Sequence, residues 1–440
     1  MSGDKELTAS APPGSFTRER LQIALAMAIA LPGPVLRTLT IADLPHPELA
    51  PEAESAVFGI SILAAATLLI WTTEVAEQMI SATLALAILA IIAVLPEYAV
   101  DIYFAWTAPD DPQNAGFALA NMTGANRLLV GFAWPVVFFL FWFKERKNVL
   151  VVGRQNAIGL IFLGAATLYS FSIPLRGHLS LLDTAVLFSL FAVYLILSSR
   201  SPPREEEPLV GPAQAIAALP LQQRWYAVCG LFLFAAGTVF AAAEPFAEGL
   251  VHSGEGLGID EFILVQWVAP LASEAPEFLL AAILALRGRA VAGMTVLISS
   301  KVNQWTLLVG SLPLAYSISG GSLDPLPMDS RQVEEVFLTA SQSLFAVAIL
   351  MTLSISAWEA GIMFLLFGGQ FFSTEPAVRW GFGVAYLVLS LRWLVAERQS
   401  IVPLFRTARE ELSVGAASES AGGDGVDPPT EGRDREAGGR

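Results

Sequence analysis

The chain has 440 residues, 54% hydrophobic and only 15% charged, with a formal net charge of −15. A soluble protein carries roughly 25% charged residues, so this composition argues against a soluble enzyme, and nothing is basic enough to suggest nucleic-acid binding. One cysteine, Cys229, rules out an intrachain disulfide.

Apolar stretches of about 20 residues recur along the chain, each long enough to cross a bilayer as a helix. Barrel strands are shorter and alternate polar with apolar residues. The fold class read from this pattern is all-α, a polytopic transmembrane bundle of about twelve spans. In chain order, residues 1–20 are expected to be disordered, and 21–56 to form an additional N-terminal helix and outer loop. The first span, 21–40, is interrupted by Pro32-Gly33-Pro34; lacking a clear cleavage site, it reads as retained. A first half at 57–198 carries spans 57–79, 81–106, 115–143, 156–175 and 179–198. The proline-rich, charged stretch 199–223 is the linker, and a second half at 224–373 follows. Its spans are 224–248, 260–286, 290–317, 333–356 and 358–373. An additional C-terminal helix occupies 374–408, with its span at 377–396. The last stretch, 409–440, is Gly, Ser, Pro and charge, and reads as a disordered acidic tail.

Loop charges set an expected orientation. With both termini cytoplasmic, Lys144-Glu145-Arg146-Lys147, the linker and Arg287-Gly288-Arg289 lie inside. The outer loops "APDDPQN", "HSGEGLGIDE" and "SGGSLDPLPMDS" are then acidic and free of Lys and Arg. This is the positive-inside asymmetry of a cell-membrane protein.

The two halves echo each other. "IAVLPEYAVDIYFAW" places Pro96-Glu97 in the third span, and "LASEAPEFLLAAILA" places Pro276-Glu277 in the eighth. Each follows a span ending in acids, "WTTEVAEQM" and "AAAEPFAEGL". Each precedes a span with small and amide residues, "ALANMTGANRLLVG" and "VLISSKVNQWTLLVG". The copies begin five spans apart, an odd number, so they face opposite ways across the membrane, a recurrent transporter plan.

A charged side chain at the bilayer centre costs about 2.5–3.5 kcal/mol even on lenient scales, so Glu97 and Glu277 need a cation, a proton or a partner. Pro96 and Pro276 deprive the carbonyls of Ile92 and Ala272 of their helical donors. Free carbonyls beside carboxylates are ligands for hard cations. Asp101 shares a helix face with Glu97, and Ser273 shares one with Glu277, while Glu274 is three residues from Glu277. Neighbouring acids in low dielectric do not both stay ionised without a cation, so proton and metal compete. Plainer readings stand beside these: Asp101 and Glu274 as partners of Arg127 or Lys301, Asn121, Asn126 and Asn303 as interhelical hydrogen bonds, Ser300 as a packing residue, and Trp71, Trp106, Trp142 and Trp267 as interface anchors.

At these residues the sequence resembles the sodium/calcium exchanger superfamily of cation/calcium antiporters, whose inverted repeats carry Gly-(Thr/Ser)-Ser-x-Pro-Glu and, one helix later, Gly-Ser-Asn. Pro96-Glu97 and Pro276-Glu277 match the first motif, Gly124-Ala125-Asn126 resembles the second, and Ser299-Ser300-Lys301 occupies its repeat. Ala93 and Val94 replace hydroxyl residues, Glu274 stands at a hydroxyl position and Lys301 replaces an asparagine. The resemblance implies a fold of two inverted five-helix repeats and alternating-access exchange of Ca2+ or another cation for Na+ or H+. The metal would sit between Glu97 and Glu277, with Asp101, Ser273, Glu274, Asn126, Ser300, Lys301 and Asn303 around it. These ions are substrates, and no cofactor is expected. The partners are the lipid bilayer and inorganic cations. Two other readings are a sodium/proton antiporter and a non-transporting sensor or scaffold whose former ion site is salt-bridged. All three histidines, His46, His178 and His252, fall in expected loops with no metalloenzyme spacing, which argues against a membrane enzyme.

Overall fold

The computed structural model describes residues 17–47, 49–79, 95–200, 209–258, 260–371 and 375–423. These are almost entirely helical, and their outer surface is apolar where a soluble protein would be polar: Leu365 is 73% and Leu233 69% exposed. Among the described residues, eight helices are long and apolar enough to cross a membrane, and nine if the bent helix Glu261–Leu286 counts as one span. The figure of about twelve is therefore not reached among the described residues. Three expected spans fall short for separate reasons. Only Leu95–Thr107 of the third is described, and residues 81–94, with Ile92, Ala93 and Val94, lie outside the described residues. The ninth, 290–320, carries Lys301 among amides and hydroxyls, which dilute its apolar character; its π turn is not the reason, because the run 113–145 has one too and still qualifies. The eleventh, Ala357–Phe371, has 15 residues.

The prolines act where the sequence puts them. Thr17–Ala30 ends before Pro32, which opens a second short helix, Pro32–Ile41. There the Gly33 N–H donates to Ser61 Oγ at 3.0 Å, so the interrupted span docks on Pro51–Glu77. Glu261–Leu286 bends by 54° between Glu274 and Glu277, where Pro276 falls. Two helix starts carry capping boxes, Ser180 with Asp183 before Leu181–Ser199 and Asp329 with Gln332 before Ser330–Leu350.

Inverted symmetry is visible in the backbone. The helical runs 113–145 and 290–320 each contain a single turn of π-helix, Leu129–Ala133 and Gln304–Leu308. Two short antiparallel ribbons repeat the theme: β1 (Val149–Val151) pairs with β4 (Ser354–Ser356), and β2 (His178–Leu179) with β3 (Leu326–Pro327). Each ribbon takes one strand from each half. The helix Ala157–Ser170 separates β1 from β2 and Ser330–Leu350 separates β3 from β4, so the ribbons lie at opposite ends of the bundle. At the β1 end, Lys144 Nζ donates to the Leu286 carbonyl at 2.5 Å, and Arg154 pairs with Glu410. The basic loops and the C-terminal helix therefore share one end. That helix, Ile401–Gly423, runs into the stretch expected to be a disordered tail, because this ion pair and Leu404 and Ala408 anchor its first turns; residues 424–440 lie outside the described residues. The linker likewise contains a short helix, Pro212–Ala217, with 201–208 outside the described residues.

Close helix approach depends on small residues, as is usual in membrane bundles. A Cβ on Gly124 would lie 1.8 Å from the carbonyl oxygen of Gln266, and one on Gly293 would lie 2.7 Å from that of Ala281. Both glycines thus press neighbouring helices onto the bent one. Gly124→Ala is expected to force the backbones apart at a cost of about 1–3 kcal/mol, read as a lower melting temperature of the detergent-solubilised protein.

Candidate cation site

The bend at Pro276 sits between two buried acids. Glu274 is fully buried, and Glu277 is 6% exposed. Pro276 supplies no N–H, so the Ala272 carbonyl loses its helical donor just where the helix turns. Ser273 Oγ donates to the Ala269 and Pro270 carbonyls at 3.2 and 3.4 Å, which engages its proton and leaves oxygen lone pairs. Glu274 accepts from Gln304 Nε2, which also donates to Ser300 Oγ at 3.3 Å. Gln304 opens the π turn of its helix, and such turns are common at functional sites.

A second set of contacts crosses between the halves. Lys301 is fully buried; its Nζ donates to Asn126 Oδ1 at 2.6 Å and to the Asn126 carbonyl at 3.2 Å, and lies 4.5 Å from the centre of the Trp305 ring. Asn126 Nδ2 donates to the Met122 carbonyl at 2.8 Å, which turns the amide oxygen toward the ammonium. Tyr98 OH donates to Asn303 Oδ1 at 3.3 Å, joining the residue after Glu97 to the second half. The Leu95–Thr107 helix itself packs on the bent helix. The Glu97 side chain lies outside the described residues. Asp101 is fully buried and accepts from Asn121 Nδ2 at 2.8 Å, while its Oδ2 has no hydrogen-bond partner among the described residues.

The expected site residues thus form three local arrangements. Glu274 and Ser300 meet through Gln304, Asn126 meets Lys301, and Asn303 meets the helix of Glu97. Asp101 is engaged with Asn121, and Ser273 and Glu277 lie on the bent helix itself. Among the described residues, no group of three or more His, Cys, Asp or Glu is placed to hold a metal ion. Hard-cation coordination here would draw on a mixed set of carboxylate, amide, hydroxyl and carbonyl oxygens.

Two expectations change. Arg127 does not serve Asp101 or Glu274. It forms a buried ion pair with Glu335 at 2.6 Å and stacks 4.8 Å from the centre of the Trp267 ring. Arg379 joins this network through Glu334 at 2.8 Å and Glu335 at 3.7 Å. Gln342 Nε2 donates to the Arg127 carbonyl at 3.2 Å, and Gln370 Nε2 to Gln342 Oε1 at 3.1 Å. Trp267 is 5% exposed, so it is a packing residue of this network instead of an interface anchor, whereas Trp106 and Trp142 are at the surface. Sequence reading missed Gln304, Glu334, Glu335, Arg379 and Gln342. The signal for the acids was the pair in "RQVEEVF", inside an otherwise apolar span.

The model of the family described as sodium/calcium exchanger protein matches residues 55–200 and 227–372, one stretch in each half. The chain belongs to the sodium/calcium exchanger family. The solved structure of an H+/Ca2+ exchanger, CAX, is 42% identical, with a TM-score of 0.85, over 91% of this chain and 100% of that one. The structure of native YfkE is 13% identical with a TM-score of 0.57 over 84% of this chain and 100% of that one, a likeness of fold. No curated protein sequence matches. As a member of this family of transporters, the chain is a multi-pass membrane cation/calcium antiporter.

Removing one member of a buried ion pair leaves the other charge uncompensated, at a cost of about 3–5 kcal/mol. Glu335→Gln is therefore expected to lower thermal stability sharply, and adding Arg127→Met to recover part of the loss; melting of the purified variants measures both.

Proposed function

We propose that this exchanger moves Ca2+ across the membrane against protons. Ca2+ is bound between Glu97 and Glu277, with Glu274 and Asp101 as further acids. Ser273, Asn126, Ser300 and Asn303 contribute or orient neutral oxygens. The observation that carries this reading is the pair of buried carboxylates, Glu274 and Glu277, three residues apart on either side of a proline bend. Two adjacent acids in a low-dielectric bundle need either a cation or a proton to offset their repulsion. A divalent ion satisfies both at once. When it leaves, protons take its place, so the site is recharged on whichever side it faces. The 42% likeness to a protein described as an H+/Ca2+ exchanger supports protons as the counter-ion. Transport then requires the site to open alternately to each side, and inverted halves meeting at bent helices are built for that. The positive charge of the loops supports a cytoplasmic β1·β4 end, with both termini on that side.

The salt-bridged scaffold reading is weakened because Arg127 is committed to Glu335. A sodium/proton antiporter differs in needing no divalent ion.

In proteoliposomes, an imposed proton gradient is expected to drive uptake of radioactive calcium, and an equal sodium gradient to leave it at the background rate. Calcium uptake driven by sodium alone overturns proton coupling. No calcium flux under either gradient overturns the reading as a whole. Glu277→Gln is expected to reduce uptake by at least about hundredfold, equivalent to about 2.7 kcal/mol of lost ion stabilisation, with insertion and monodispersity retained. Because protons and Ca2+ compete for the same acids, lowering the pH is expected to raise the calcium concentration needed for half-maximal uptake.

A further inference from the structure

We propose that the Lys301 ammonium is a built-in monovalent cation of the transport pocket. It occupies the oxygens of Asn126 that a sodium ion would take, and so makes the pocket indifferent to Na+. This inference deepens the calcium/proton reading and rests on it.

The geometry is that of a ligand more than of a structural ion pair. The ammonium meets two oxygens of one residue, the amide and the backbone carbonyl of Asn126, at 2.6 and 3.2 Å. An ammonium is a compact point charge that takes oxygen acceptors at such distances, as a small monovalent ion does. Asn126 is preset for the role, because its own N–H donates to Met122 and fixes the oxygen outward. The face of Trp305, 4.5 Å away, covers another side of the ammonium with a π surface that stabilises a cation without supplying an oxygen. The contact joins corresponding places of the two inverted halves, since Asn126 ends "GAN" and Lys301 ends "SSK". Lys301 is tethered to the helix that holds Glu274 through Gln304. Glu274 is close enough to act on that ammonium electrostatically. In its ammonium form Lys301 lends one positive charge to the cluster, which turns the pocket away from sodium and toward a divalent ion or protons.

The test uses purified full-length protein and reads occupancy separately from transport. Thermal stabilisation by NaCl is compared with choline chloride at equal ionic strength, and sodium inhibition of calcium uptake is measured in proteoliposomes. Wild type is expected to show no sodium-specific stabilisation and no sodium inhibition. Lys301→Asn, and independently Lys301→Gln, are expected to gain a saturable sodium-specific shift and at least about tenfold greater sodium inhibition. Adding Asn126→Ala is expected to abolish that gain. The proposal is overturned if wild type already responds to sodium, or if either variant is monodisperse and stabilised by Ca2+ yet indifferent to Na+. Failure of proton coupling in the flux assay alone would count against the functional reading and leave the sodium-binding result to stand by itself.

Discussion

Charge held inside hydrocarbon is the constraint on which this architecture depends. A carboxylate buried among transmembrane helices is stable only when something of opposite sign, or a proton, is close. Two solutions exist side by side. Around Arg127 and Arg379, guanidinium groups meet Glu334 and Glu335 in equal number, and the network is closed. Around Glu274, Glu277 and Asp101, buried acids gather near the ammonium of Lys301 and the amides of Gln304 and Asn121. The same physics therefore yields a closed ion-pair strut in one place and, in the function proposed above, an exchange site in another.

Much of the plan was legible in the sequence because it rests on residues with local consequences. A proline beside a glutamate within an apolar run announces a bend with an ionisable group at it, and Pro276 produces that bend. Duplication of the pattern an odd number of spans apart announces opposed halves. Partner choice was not legible. Arg127 follows Asn126 directly, yet consecutive helix positions point about 100° apart, so Asn126 meets Lys301 while Arg127 meets Glu335 on a distant helix. Trp267 was misread for a related reason: an aromatic near a span end looks like an anchor until a cation is stacked on it. Expected spans also failed where polar residues dilute an apolar run, as around Lys301, or where the helix is too short to cross alone, as in Ala357–Phe371.

The segments outside the two matched stretches are coupled to the exchanger core through charge. In the N-terminal addition, Arg37 pairs with Glu244, four residues before Glu248, which in turn accepts from Tyr103 OH at 2.8 Å. In the C-terminal addition, Arg379 reaches the acids that hold Arg127, one residue from Asn126. Each addition thus pairs with a helix of the matched stretches, Leu221–Leu257 or Ser330–Leu350, and reaches the site-bearing helices only through a further residue, Tyr103 or Arg127.

The small ribbons have a mechanical meaning. Backbone hydrogen bonds knot a connecting loop of one half to a connecting loop of the other, once near each face of the bilayer, and Val152 and Met328 extend the knots with bonds to Leu353 and Gly177. Elements pinned at both extremities are poorly able to slide past each other along the membrane normal. The helices that flank these ribbons, 134–145 and 157–170 of one half and 330–350 and 357–371 of the other, are accordingly clamped into one frame at both of its ends.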